Sequence, residues 1–156
     1  MNTNEKLTEV LNDLIHVNND RAEGYINASE EVEAIDIDLR ATFNKLADQS
    51  RKFATELTTE VVKLGGEPAT GTTAGGKIHR AWMDVKATFS GKDRHAILSS
   101  CEYGEDAAQK AYKSALASDA EINADTRKLI TDQQSSLKTS HDLIKKYRDV
   151  QKAVSA

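Results

Sequence analysis

GGEPATGTTAGG, residues 65–76, decides the fold. It holds the single proline of the chain, Pro68, and five of its eight glycines. Proline removes a backbone donor and glycine loses the most entropy on ordering, so a cluster of both ends any regular element that reaches it. Elsewhere Gly24, Gly91 and Gly104 stand alone. With breakers gathered in one place and aromatics at only 5%, the sequence on either side reads as long helices.

Working back toward the N-terminus, a first helix starts near Thr3 or Asn4. It carries Leu7, Leu11, Leu14, Ile15, Asn18, Ala22, Tyr25, Ile26, Ser29 and Val32 on one face, in steps of three and four. Asp36 is placed to cap a second helix, with Leu39, Phe43, Leu46, Ser50, Phe53, Leu57, Val61 and Leu64 as its stripe. Gly65-Gly66 supplies its stop. The turn Ala34-Ile35-Asp36 is short, so these two helices fold back antiparallel.

Working forward, Ile78, Trp82, Val85 and Phe89 mark a short amphipathic helix that Ser90-Gly91 ends. A third long helix, started by Ser90 or Asp93, presents Ile97, Cys101, Gly104, Glu105, Ala108, Tyr112 and Ala115. Asn123 or Asp125 caps the last, which presents Ile130, Gln133, Leu137, Ser140, His141, Ile144 and Tyr147. Helices of this length span ~40 Å. The loop and short helix are too long for a hairpin and suit a crossover. The expectation is one all-α domain over residues 1–156, an antiparallel four-helix bundle with a short crossover helix between the second and third long helices.

Composition narrows the function. Charged residues form 29% of the chain, yet the net charge is −4 with both signs interspersed. No basic stripe is present, which argues against a nucleic-acid partner, and Lys145-Lys146-Tyr147-Arg148 reads as a cationic helix end. No stretch approaches the ~18 apolar residues of a membrane span, and MNTNEKLTEVLNDL lacks the pattern of a signal peptide, so a cytoplasmic protein without a membrane partner is expected. Cys101 is the only cysteine and lies on an apolar stripe, as a buried, inert thiol would. GTTAGGK has neither the spacing nor the preceding strand of a phosphate loop, and no nucleophile elbow or His-Glu-x-x-His occurs. The chain is expected not to be an enzyme.

Polar residues on the seams are the remaining signal. Asn18, Ser50, Gln133, Tyr25 and Tyr112 form a polar core set, with Asn18 at the centre of its stripe, where a buried amide needs partners. Asn18 fits either a register-fixing residue or one wall of a polar cavity. Glu105 and His141 lie nearer the flanks of their stripes, where they are expected to meet as an ion pair. With Glu102 one turn before Glu105, the same residues are the candidate metal ligands. His16 and His95 are expected to be solvated, and His79 to sit at the edge of the Trp82 stripe.

Several stretches together resemble a bacterial family of ferritin-like four-helix bundles known as a domain of unknown function. They are LNDLIHVNNDRAEGY (11–25), LADQSRKFATEL (46–57), GGKIHRAWMDVKATFSGKDRHAIL (75–98) and CEYGEDAAQKAY (101–112), of which HRAWMDVK and CEYGEDAA are the most specific. The resemblance implies a ferritin-like, rubrerythrin-related architecture and no established activity. Di-iron members of that superfamily use a Glu from each of two helices and Glu-x-x-His from the other two. Carried onto this chain, the first Glu is replaced by Asn18, and the first Glu-x-x-His by Ser50-Arg51-Lys52-Phe53. The third helix keeps Glu105, and the last motif reads Lys138-Thr139-Ser140-His141. The resemblance therefore implies a degenerate di-iron site with no cofactor, in a non-catalytic structural or interaction protein linked to stress. Self-association to a homodimer or higher is the first candidate interaction. The alternative is a weak metal-binding or redox protein holding iron or another divalent metal on Glu105 and His141. A third reading is a small-ligand carrier with a cavity lined by Asn18, Ser50, Gln133 and Tyr112.

Overall fold

A computed structural model describes residues 3–32, 37–71, 82 and 94–155. Among them are four α-helices and no strand: α1 (Thr3–Glu31), α2 (Ile37–Lys63), α3 (Arg94–Leu116) and α4 (Ala124–Ser155). The all-helical expectation holds. Among the described residues, no helix is long and apolar enough to cross a membrane. Asp36, His79 and the expected helix Ile78–Phe89, apart from Trp82, lie outside the described residues.

The helix ends follow their local chemistry. Gly65 adopts φ +76°, and Gly66 N–H donates to Val61 O (3.1 Å) while Gly65 N–H donates to Val62 O (3.0 Å). This pair of bonds satisfies carbonyls that the end of α2 would otherwise leave orphaned. At the start of α4, Asn123 Oδ1 accepts from Thr126 N–H at 2.9 Å, the N-cap bond expected of this residue.

Buried side chains recur in strict alternating steps of three and four. On α1 the series is Leu7, Leu11, Leu14, Asn18, Arg21, Tyr25, Ala28 and Val32. On α3 it is Leu98, Cys101, Glu105, Ala108, Tyr112 and Ala115. This is the spacing of side chains that interlock along a bundle seam. It places Glu105 on the seam itself rather than at its flank, a correction to the sequence reading.

Contacts between helices set the topology. Lys6 pairs with Asp119, Asn18 with Tyr112 and Arg21 with Glu105, so numbers rise along α1 as they fall along α3. Arg40 Nε donates to Ser29 O (3.0 Å), while Gly66 lies against Thr8, so α2 opposes α1 in the same way. Helices α2 and α3 therefore point the same way, and the chain between them must return along the bundle. Its start does so on α1. Asn12 Nδ2 donates to Glu67 O (3.1 Å), and Asn12 Oδ1 accepts from Ala69 N–H (2.8 Å). His16 Nδ1 and Asn19 Nδ2 both donate to Gly71 O, at 2.9 and 2.8 Å. His16, expected to be solvated, is thus a tether for this segment.

Trp82 is the next described residue, and it is buried. Its indole lies between Gly24 of α1 and Gly104 of α3, with the Tyr25 ring centroid 5.1 Å away. A Cβ at Gly24 would come within 2.3 Å of Trp82 Cε3, and one at Gly104 within 2.7 Å of Cε2. Both glycines are interior helix residues that only the indole explains.

The core divides in two. One apolar cluster gathers Tyr25, Phe43, Leu46, Trp82, Ile97, Cys101 and Ile144; the other gathers Leu11, Leu14, Phe53, Leu57, Tyr112, Ile130 and Leu137. Between them lies a buried polar layer of Asn18, Arg21, Ser50 and Glu105, which Gln133 extends among the residues of the second cluster.

Helix propensity alone favours Gly→Ala by ~1 kcal/mol, but overpacking against a rigid ring costs ~1–3 kcal/mol. Gly104→Ala is therefore expected to lower the urea midpoint of unfolding. In a Trp82→Ala background the same change is expected to be neutral or stabilising. Additive effects of the two changes would show that the indole is not what excludes a side chain at Gly104.

Candidate functional site

Arg21 anchors the polar layer and is fully buried. Its Nε and Nη2 face the two oxygens of Glu105, with Nη2–Oε2 at 3.4 Å. Nη1 donates to Ser50 Oγ (2.7 Å) and to Leu46 O (3.1 Å). Only a planar guanidinium offers donors in this fork, with two aimed at one carboxylate and the rest at a neighbouring helix. The guanidinium carbon also sits 5.1 Å from the centroid of the Tyr25 ring.

The bonds continue across the bundle. Ser50 Oγ donates to Asn18 Oδ1 (3.0 Å), and Asn18 Nδ2 donates to Leu14 O (2.9 Å) and to Tyr112 Oη (2.8 Å). Tyr112 Oη donates to Gln133 Oε1 (2.7 Å). Gln133 Nε2 reaches Glu56 Oε1 (3.1 Å) and Phe53 O (3.3 Å). One continuous chain thus joins all four helices, each hydroxyl and amide acting as both donor and acceptor.

This environment sets the proton affinities. Burial works against the Arg21 cation, but the charge and hydrogen bond of Glu105, together with Tyr25 and Tyr112, leave the guanidinium more basic than usual. Burial, and then the charge of Glu105, holds the Tyr25 phenol well above its ordinary range. Burial likewise raises Tyr112, against the opposing bond from Asn18, and raises Cys101, with Glu105 adding to the effect. Cys101 is therefore a protonated, inert thiol, as expected from its place on the stripe.

The polar core set expected from sequence is buried throughout. Asn18, Ser50, Gln133 and Tyr112, which the ligand-cavity reading takes as a lining, bond to one another in a row across the bundle. Tyr25 packs against Arg21, Phe43 and Trp82, with its phenol close enough to Glu105 to feel its charge, and Trp82 Nε1 has no hydrogen-bond partner among the described residues. The pair formed by Glu105 and His141 does not exist. Glu105 turns inward to Arg21, whereas His141 follows Ser140, the α4 residue that faces the core, and so points a helical step away from it.

The residues in the middle of the bundle do not fit a di-iron centre. Of the layer's side chains only Glu105 is anionic, and both its oxygens face Arg21. Asn18, Ser50 and Gln133 are neutral, and Arg21 already supplies the cation that the carboxylate needs.

Glu102 and His141 do come together, at a second place. His141 Nε2 lies 2.6 Å from Asp106 Oδ1 and 3.9 Å from Glu102 Oε1, while Nδ1 lies 3.1 Å from Asp142 Oδ1. Arg148 Nη1 binds the other oxygen of Glu102. The group lies by a surface groove of about 500 Å³ between α3 and α4, lined in part by Asp106, Gln109, Lys113, Lys138 and His141. Sequence reasoning missed Asp106, although its i, i+4 spacing from Glu102 marks one helix face. It also missed Arg21, which a strict heptad count through Asn18 and Tyr25 identifies.

A family model described as a domain of unknown function (DUF2383) matches residues 6–118, which include Asn18, Arg21, Ser50, Glu105 and Tyr112 but neither Gln133 nor His141. A search of the curated proteins finds no match.

Two predictions test the polar layer. Glu105→Gln leaves the buried guanidinium without its counter-charge and is expected to cost ~3–5 kcal/mol by urea denaturation, while Arg21→Met/Glu105→Leu recovers most of that loss. A cost below ~1 kcal/mol for the single change would mean that water reaches Arg21. The second concerns pH. The folded-state pKa values of Tyr25 and Tyr112 lie above the unfolded value near 10. Their contribution is therefore intact below that value and is lost as pH rises above it, by ~1.4 kcal/mol per pH unit for each phenol. Urea midpoints are expected to fall steeply from pH 10 to 11.5, and Tyr25→Phe/Tyr112→Phe to flatten the slope.

Proposed function

Because this chain belongs to the DUF2383 family, whose description assigns no activity, its role must come from its own side chains, and we propose a non-catalytic structural or interaction protein built as a ferritin-like bundle. The course of the chain supports that architecture. Helices α2 and α3 point the same way, and the intervening segment starts back along α1, as a crossover would. The cytoplasmic location and the link to stress rest on the sequence reading and the family resemblance alone.

One observation carries the functional reading: the Arg21 guanidinium closes on Glu105 and Ser50 in the middle of the bundle. A carboxylate buried among four helices requires a cation. Here the chain provides it covalently, so the layer is charge-balanced and hydrogen-bonded without a bound metal. Self-association is the first interaction proposed, on the resemblance to bundles that pair through a flat face, and Ile37, Val62, Tyr103 and Val150 are individually exposed apolar side chains. The competing metal-binding reading loses Glu105 as a ligand.

Ferrous loading in air followed by desalting is expected to leave no pair of irons per chain and no oxo-bridged diferric absorption. Light scattering is expected to show a mass that rises toward a dimer across the micromolar range. Two irons per chain lost on Glu105→Gln, in protein shown to remain folded, would overturn the non-catalytic reading. A strictly monomeric mass would remove self-association from it.

A further inference from the structure

We infer that Glu102, Asp106 and His141 form a divalent-cation site beside the α3–α4 groove, one suited to zinc and separate from the middle of the bundle. Their three ligand atoms all lie within 4.8 Å of one another. An acidic patch alone would bind cations diffusely. What distinguishes this group is an imidazole with one nitrogen between two carboxylates from the neighbouring helix.

The geometry is close to that of a bound ion. Zinc takes nitrogen and oxygen ligands at about 2.0–2.2 Å, so the edge of its tetrahedron is about 3.3–3.6 Å. The distances from His141 Nε2 are 2.6 Å to Asp106 Oδ1 and 3.9 Å to Glu102 Oε1, one below and one above that edge. Opening the first by under an ångström and closing the second by half of one admits the ion. An ion seated there would take the place of the direct contact between His141 Nε2 and Asp106 Oδ1.

The surroundings orient each ligand. Asp142 Oδ1 faces Nδ1 and accepts its N–H, which leaves Nε2 as the coordinating atom of a neutral imidazole. Arg148 holds Glu102 Oε2, so Oε1 is the oxygen turned toward His141. Lys138 pairs with Asp142 and partly offsets its charge. The charged groups around the imidazole are thus Glu102, Asp106 and Asp142 against Arg148 and Lys138, a net anionic setting. The side chains of His141 and Glu102 are 18% and 13% exposed and that of Asp106 is 52% exposed, so the site opens to solvent at Asp106. Three protein ligands and an open fourth position allow water or an exchangeable ligand on the ion.

Cobalt(II), a spectroscopic stand-in for zinc, tests this directly. Chelator-stripped full-length protein at pH 7.5 is expected to bind one Co²⁺ per chain with visible d–d bands, which Zn²⁺ then displaces. His141→Ala and Asp106→Asn are each expected to weaken Zn²⁺ binding by well over tenfold, and Asp142→Asn, which touches only the far nitrogen, by about tenfold. Zn²⁺ is expected to raise the melting temperature of the unaltered protein but not that of Asp106→Asn, which shows that a variant has kept its fold and lost only the ion. Zn²⁺ affinity unchanged in folded Asp106→Asn and His141→Ala, or no binding at millimolar Zn²⁺, would overturn the assignment.

Discussion

The buried contact between Arg21 and Glu105 is the constraint on which the rest of the structure depends. The two residues are 84 positions apart, and neither is tolerable in the core without the other. An uncompensated buried charge costs ~3–5 kcal/mol, against a total stability of ~5–15 kcal/mol for a domain of ordinary size. A heptad slip of α1 against α3 would put Leu14 or Ala28 where Arg21 stands, and among the α1 apolar positions it exchanges Leu only between Leu7 and Leu14. The same slip would separate Arg21 from Glu105 and is therefore excluded. Ser50 extends this register lock to α2, and the run through Asn18 and Tyr112 to Gln133 extends it to α4. The apolar clusters supply most of the driving force, and the polar layer decides which bundle they form.

A metal centre and a guanidinium answer the same electrostatic problem in different ways. Both neutralise carboxylates that the bundle holds away from water. A metal leaves open coordination positions for a substrate, whereas a guanidinium offers only N–H donors and has no accessible second charge state. Under the proposed reading, replacing one by the other keeps the architecture and closes the chemistry. The Tyr25 ring and the Trp82 indole lie 5.1 Å apart in the apolar cluster beside this layer.

What could be read in the sequence was whatever depends on neighbours along the chain. Helix periodicity, the Gly65-Gly66 stop and the Asn123 cap each rest on contacts within a few residues, and each has the expected form. Arg21 was not legible, because an arginine among Asn, Asp and Glu reads as solvated surface and its partner is two helices away. Glu105 was assigned to a flank because Gly104 is also buried. Averaging the two directions on α3 pulls the apparent seam off Glu105, and only the position of Trp82 shows that Gly104 faces something else. His141 shares its helical stripe with Ser140 in the sequence, and spacing alone does not say that Ser140 takes the inward step.

A single turn and a half of α3 serves three environments at once. Cys101 and Glu105 face the core, Gly104 receives the indole of Trp82, and Glu102 and Asp106 face His141. Rotating α3 about its axis would improve one of these contacts only by spoiling the others. The Arg21 fork fixes the rotation from inside, and the indole fixes it from the side. The two carboxylates on the groove are therefore presented by a helix whose rotation the core has already determined. A site of modest affinity requires such support, because free energy not spent on ordering its ligands remains available for binding the ion.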